Sequence, residues 1–175
     1  MGDVKINRGD YGLFENALKQ VLPEKQIYTE LAVRFAYGTD ASCYRYIPEI
    51  VVRAQNESEV LSIIKIAHDH QIPVTFRASG TSLSGQTSSN SVLILLGDDF
   101  VDTKILDNGA KVKLRPMVIG SNANLALKPF GRKIGPDPAT INTARIGGIA
   151  SNNSSGMCCG TKDNSYHTMD TMRLI

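Results

Sequence analysis

The chain has 175 residues, 42% of them apolar and 21% charged, with a net charge of +2. That is ordinary globular composition, and enough chain for one domain with its own core or for two small lobes. There is no basic run of the kind nucleic acid requires, and the longest apolar stretch, Val92 to Leu96, is far too short to span a membrane. Residues 1–20 carry Asp3, Lys5, Arg8, Asp10, Glu15 and Lys19 without an apolar h-region, so no secretory signal is read, and three cysteines with no framework spacing fit a reducing cytoplasm.

In chain order, residues 11–35 place apolar and charged positions in helical style, interrupted at Pro23, and predict a helical lead-in segment over 1–35. Pro48 introduces Glu49–Ala54, a β-branched run of strand length. Asn56, with Glu59 three residues later, reads as a helix cap. Val60, Ile63, Ile64 and Ala67 then recur at helical spacing and predict one buried face. After Pro73 the run Val74–Arg77 is extended again, so strand, helix and strand predict two parallel strands joined by a right-handed crossover. His68 and His70 close the helix and are expected as capping or solvated groups. Val92–Leu96 is continuous apolar sequence and predicts a strand covered on both faces.

The second half changes character. Asp107-Asn108-Gly109 is a hairpin turn signal, followed by the alternating run Lys111–Arg115. Residues 121–130 predict a short helix capped by Ser121 or Asn122 and ended at Gly131. Ile134 to Gly160 holds two prolines, five glycines and many small polar residues, and "TMRLI" at 171–175 reads as the opening of a strand.

Two stretches carry chemistry. "GTSLSGQT", Gly80 to Thr87, is one residue short of a Walker A loop, with Gln86 where the lysine belongs. The sequence after it predicts a strand instead of a helix, so both the point charge and the aligning helix of an ATP site are missing. A phosphate nest is still readable: from Ala78 to Gly97 there is no charged residue, and glycines let successive N–H groups turn inward beside serine and threonine hydroxyls. A solvated Gly/Ser loop is the alternative. Between Ala139 and Thr161 the sole charge is Arg145, and "IGGIASNNSSG" is again small, polar and glycine-spaced. Two such loops suggest two walls for one large, flat ligand such as a dinucleotide, although the G-x-G-x-x-G fingerprint is absent. Cys158, Cys159 and His167 lack a fourth ligand and a metal spacing, so no metal site is read and the paired thiols are expected to be buried and structural.

At these residues the chain resembles a known family. "RASGTSLSGQT" (Arg77–Thr87) resembles the pyrophosphate loop of FAD-binding domains of the vanillyl-alcohol-oxidase (PCMH) type. "GPDPAT" followed by "ARIGGIASNNSSG" is similar to that family's second flavin-contacting stretch, and the resemblance covers roughly residues 35–175. Within the family it is nearest to FAD-linked dehydrogenases of D-lactate, glycolate and D-2-hydroxyglutarate, and "NNSSGMCCGTKDNSYHTMDTMRL" resembles a branch that also carries an iron–sulfur module.

The resemblance implies an α+β fold in two lobes. A small parallel βαβ lobe would occupy about 45–100, and a mainly antiparallel, incomplete lobe about 101–175, together forming an FAD-binding domain over 36–175. It implies that Ser79, Gly80, Thr81, Ser82 and Leu83 donate N–H groups to the pyrophosphate, with Gly85 and Gln86 closing the loop. Pro136, Asp137 and Thr143 would lie along the flavin and its ribityl chain, Gly147 and Gly148 would permit close approach, and Asn153 and Gly156 would complete that wall. Thr81 stands where some relatives carry a flavin-linking histidine, so the FAD is expected to be noncovalent.

The implied reaction is hydride transfer from a 2-hydroxy acid to FAD, with a quinone, an electron-transfer protein or an iron–sulfur centre as acceptor. The implied place is the cytoplasm, with peripheral membrane association open for the full-length enzyme. The chain is expected to be an N-terminal fragment, inactive alone, with catalytic residues and any iron–sulfur cysteines beyond residue 175. No residue is spaced to fix the tautomer of His68, His70 or His167. A non-catalytic nucleotide-binding module, or a flavin reductase of the UDP-N-acetylenolpyruvoylglucosamine type, remains the alternative.

Overall fold

The computed structural model describes residues 9–175, which form two compact units. The first comprises the described residues up to Arg77 together with Ser82–Leu95, and the second comprises Ala78–Thr81 together with Leu96–Ile175.

The first unit is built on four strands in the order β1 (Ile27–Tyr28), β2 (Ile50–Ala54), β4 (Val92–Leu96) and β3 (Val74–Arg77). β3 and β4 run parallel, pairing Val74 with Val92 through Arg77 with Leu95. Glu49 N and Ile50 N both donate to Ser91 O (2.7 and 3.4 Å), so β2 and β4 start at the same end of the sheet. The two strands expected to flank the crossover helix therefore share one sheet, but β4 lies between them. Burial explains the order. Val92, Leu93 and Ile94 are fully buried, as are Val51 and Val52, whereas Phe76 is 43% exposed and β3 takes the edge. A strand apolar on both faces gains most from the centre.

Residues 1–8 of the expected lead-in segment lie outside the described residues, and the described part is not wholly helical. It contains α1 (Tyr11–Lys19), α2 (Leu31–Ala36) and, between them, β1, which pairs antiparallel with β2 through Ile27–Val52 and Tyr28–Val51. It also contributes to the core of the first unit: Phe14 and Leu18 are fully buried, and α1 packs on α3 (Glu57–Asp69).

The α3 cap is formed as its sequence demands. Asn56 Oδ1 accepts from Glu59 N (2.9 Å), and Glu59 Oε2 accepts from Gln55 N (2.7 Å). Gln26, itself buried, donates from Nε2 both to that carboxylate (2.7 Å) and to Arg53 O (2.7 Å). Val60, Ile63 and Ala67 are buried and Ile64 is half-buried. His68 is exposed in the last turn, while the His70 ring meets Phe14 edge-on at 6.1 Å.

The second unit holds the hairpin β5 (Thr103–Leu106) and β6 (Lys111–Leu114), antiparallel with Thr103 opposite Leu114. Its turn has positive φ at Asp107, Asn108 and Gly109 (50°, 50° and 83°). Only glycine fits the last of these, because a Cβ there would lie 2.5 Å from Phe130 Cβ.

The helix α4 (Gly120–Leu127) begins earlier than expected and has neither Ser121 nor Asn122 as its cap; Ile119 occupies that position without a side-chain bond. Carbonyls from a distant segment replace the cap. Gly120 N donates to Ala144 O and Ser121 N to Ile141 O, both at 3.0 Å. The same segment continues antiparallel: Ile146 N donates to Val118 O (2.9 Å) and Gly147 N to Pro116 O (2.8 Å). A short 3-10 turn over Lys128–Phe130 follows α4, and Gly131 (φ 65°) ends it in the left-handed conformation. α5 (Ile146–Ser151) and α6 (Ser165–Thr168) complete the unit, whose core includes Phe100, Val118, Ala123, Leu127 and Ile149. Residues 171–175 form no strand. An extended segment gains little without a neighbour to take its N–H and C=O groups, and no described strand pairs with this one.

Candidate cofactor site

The link from β3 to β4 is the charge-free loop. Gly80 (φ 69°) and Gly85 (φ 77°) are both left-handed, the conformation for which glycine is the low-cost residue. Among the described residues, no acceptor takes the backbone N–H of Gly80, Thr81, Ser82 or Leu83. Leu83 is 79% exposed. Within the Ser82–Ser91 part, Ser82 Oγ hydrogen-bonds Gln86 Oε1, Ser84 N donates to Ser82 Oγ (3.3 Å) and Ser88 N to Gly85 O (3.1 Å). Gln86 thus folds back across the loop instead of projecting as a Walker lysine would.

In the second unit, Ser79 meets the second glycine-rich stretch. Its hydroxyl donates to Thr143 O (2.7 Å) and accepts from Arg145 Nε (3.2 Å), while Arg145 Nη1 donates to Met117 O (2.7 Å). Arg145 had no spacing to mark it among the other arginines. Its one sequence signal was being the lone charge in an otherwise uncharged stretch. That charge is placed beside the loop.

The remaining site candidates divide by what fixes them. Gly147 is required by packing, since a Cβ would lie 2.9 Å from Pro116 Cβ. Gly148, exposed in α5, would meet nothing within 4 Å. Pro136 is buried. The Asp137 carboxylate turns onto the 156–159 turn, accepting from Cys159 N (3.4 Å) and lying 3.9 Å from Lys133 Nζ. Gly156 has no room for a Cβ against that carboxylate and its backbone. Burial pushes the Asp137 pKa up, but the thiols of Cys158 and Cys159, the Cys159 N–H and the Lys133 charge outweigh it and leave it below the ordinary carboxylate value. Asn153 (φ 45°) accepts at Oδ1 from Tyr166 N (3.0 Å).

Two expectations need correction. Cys159 is buried, but Cys158 is exposed. His167 does have partners: its Nδ1 lies 3.0 Å from Thr161 O and 3.1 Å from Lys162 O. Both are pure acceptors, so Nδ1 carries the proton. No cluster of three metal-ligating side chains occurs among the described residues.

Residues 48–175 match the model of the FAD binding domain. The chain belongs to that family. The FAD-binding domain is 30% identical over 139 residues to D-2-hydroxyglutarate dehydrogenase of Haemophilus influenzae, covering 76% of this chain and 13% of that protein. It is 29% identical over 129 residues to glycolate oxidase subunit GlcD of Bacillus subtilis, covering 72% of this chain and 27% of that subunit. It thus spans well under a third of either relative. Its fold is that of PCMH-type flavoproteins. Alkyldihydroxyacetonephosphate synthase superposes with a TM-score of 0.71 at 16% identity, over 88% of this chain and 31% of that one. p-Cresol methylhydroxylase does so with 0.65 at 15%, over 82% and 30%. The loop chemistry suits the cofactor of the family: among the described residues the N–H groups of Gly80 to Leu83 have no acceptor, and unpaired N–H donors are what a diphosphate needs. No helix among the described residues is long and apolar enough to cross a membrane.

Proposed function

We propose that this chain is the FAD-holding part of a flavin-dependent dehydrogenase that oxidises a 2-hydroxy acid of the D-2-hydroxyglutarate, glycolate or D-lactate type. The observation that carries the reading is the run of N–H groups from Gly80 to Leu83, unpartnered among the described residues, in a charge-free segment with left-handed glycines at Gly80 and Gly85. The relatedness to D-2-hydroxyglutarate dehydrogenase and glycolate oxidase subunit GlcD supports the substrate class.

In this reading Ser79 to Leu83 bind the pyrophosphate through oriented dipoles, and Gly85 with Gln86 closes the loop. Arg145 and Thr143 hold Ser79 in place. The open side of Gly148 leaves room for a ligand, while Asn153, Gly156, Pro136 and Asp137 shape the neighbouring backbone. Thr81 has no nucleophile suited to a flavin linkage, so the FAD is held without a covalent bond. When bound, FAD supplies the hydride acceptor. The base and the groups that recognise the substrate carboxylate belong to the rest of the enzyme, and a quinone, an electron-transfer protein or an iron–sulfur centre takes the electrons. The enzyme is assigned to the cytoplasm.

The test is anaerobic mixing of the purified full-length protein with a panel of D-2-hydroxy acids. Bound flavin bleached by at least one of them is expected. A protein that retains no flavin, or a flavin that none of them reduces, overturns the reading.

A further inference from the structure

The Tyr37–Tyr46 segment of the first unit belongs to no regular element, yet it is closely tied down. Tyr46 N donates to Gly38 O (3.0 Å), and Thr39 and Arg45 form an antiparallel bridge, so the segment closes on itself. The Arg77 guanidinium donates to Tyr37 O (3.1 Å) and Thr39 O (2.7 Å), fastening it to the end of β3. Arg45 stacks over the Phe35 ring at 3.9 Å, fastening it to α2.

Two of its side chains face the glycine-rich loop. Asp40 uses one oxygen inside its own turn, where Oδ1 accepts from Ser42 N (2.8 Å) and Ser42 Oγ (2.5 Å). The other oxygen reaches out: Oδ2 accepts from Thr87 Oγ1 at 2.9 Å, across 47 residues of sequence. Tyr44 packs against Gly85 so closely that a Cβ there would lie 2.8 Å from its ring, and Tyr44 is backed by Tyr46 in a stacked pair at 6.2 Å. A charged acceptor on Thr87 and an aromatic wall on Gly85 thus act two residues apart in the same loop.

We propose that Asp40, with Tyr44, is a positioning element that holds the Gly85–Ser91 half of the loop in the shape that receives FAD; this rests on the reading that the loop binds the FAD pyrophosphate. Asp40 acts through Thr87, and a carboxylate suits the task because its two oxygens accept from the segment and from the loop at once.

The test uses full-length protein stripped of flavin, comparing Asp40→Ala, Thr87→Val and the double variant with wild type. FAD affinity comes from titration, and amide hydrogen exchange is followed without FAD. Each single variant is expected to weaken FAD binding by about tenfold or more, the scale of a lost hydrogen bond to a charged group. The double variant should be no weaker than the worse single, since both remove one contact. Exchange should quicken over Gly85–Ser91 and stay unchanged in β2 and α3. Asp40→Asn should recover most of the affinity, because its amide can accept from Ser42 and donate to Thr87 Oγ1. Affinity within about twofold of wild type in both single variants, or additive losses, overturns the proposal. So does failure of Asp40→Asn to rescue. If Asp40→Ala does not fold, Thr87→Val and Asp40→Asn decide the matter. A wild-type protein that takes up no FAD defeats the underlying reading instead, while the exchange data still show whether Asp40 holds the loop.

Discussion

Gly80 sits at φ 69° in a loop where, among the described residues, the N–H groups of Gly80 to Leu83 have no acceptor. An L-residue there adds strain on the order of 1–2 kcal/mol, and a carboxylate adds repulsion against a diphosphate. Gly80→Asp in the full-length enzyme is therefore expected to abolish flavin retention, read as the ratio of flavin to protein absorbance after purification. A fully loaded variant would show that the loop is not the pyrophosphate site. Asp137 makes a prediction of a different kind. Its folded pKa lies below its unfolded value, about 3.9 for an aspartate, despite the opposing effect of burial. The stability it contributes is thus complete above that unfolded value and is lost as pH falls through the lower folded one. Asp137→Asn should lower the melting temperature near neutral pH, and the gap to wild type should close below about pH 4. An equal gap at every pH would mean that the carboxylate charge contributes nothing.

At the scale of elements, what could be read from sequence was what local pattern dictates. α3 carries its cap, its acidic first turn and its buried face in consecutive residues. The hairpin carries Asp107-Asn108-Gly109, and β4 is a solid apolar run. What could not be read depends on partners far along the chain. β1 is two residues long and is a strand because Val51 and Val52 lie opposite. The α4 cap went to the wrong residues because Ala144 and Ile141 carbonyls do the work of a side chain. The site divides the same way. Its glycines and hydroxyls were visible as a composition, whereas the bond from Arg145 to Ser79 spans 66 residues and left no local trace. The local case supports a quantitative expectation. Asn56→Ala removes the acceptor of Glu59 N and should cost about 1 kcal/mol, measured by denaturant melting. An unchanged midpoint would mean that Glu59 and Gln26 alone keep the helix start in place.

For the molecule as a whole, the FAD-binding domain spans 13% of the dehydrogenase and 27% of the oxidase subunit that it resembles. Hydride transfer needs a base within reach of the substrate hydroxyl as well as a held cofactor. The histidines are poorly placed for that role: His70 lies against Phe14, His68 is exposed at the end of α3, and His167 spends Nδ1 on two backbone carbonyls. The 175-residue chain, given FAD, D-2-hydroxy acids and an artificial acceptor, is expected to show no turnover. A rate on the order of ten per second, typical of an intact enzyme, would place the whole active site within these residues.

Met157 stands at full exposure between the glycine clamped by Asp137 and the exposed thiol of Cys158. A thioether with nothing over it is open to peroxide, which adds one oxygen and turns an apolar side chain polar. Ageing of this chain in air should therefore register first as a sulfoxide at that turn. The same chemistry makes Met157 a built-in reporter. Brief peroxide treatment followed by peptide mass analysis would tell whether the turn is still bare in the full-length enzyme or has been covered by another part of it.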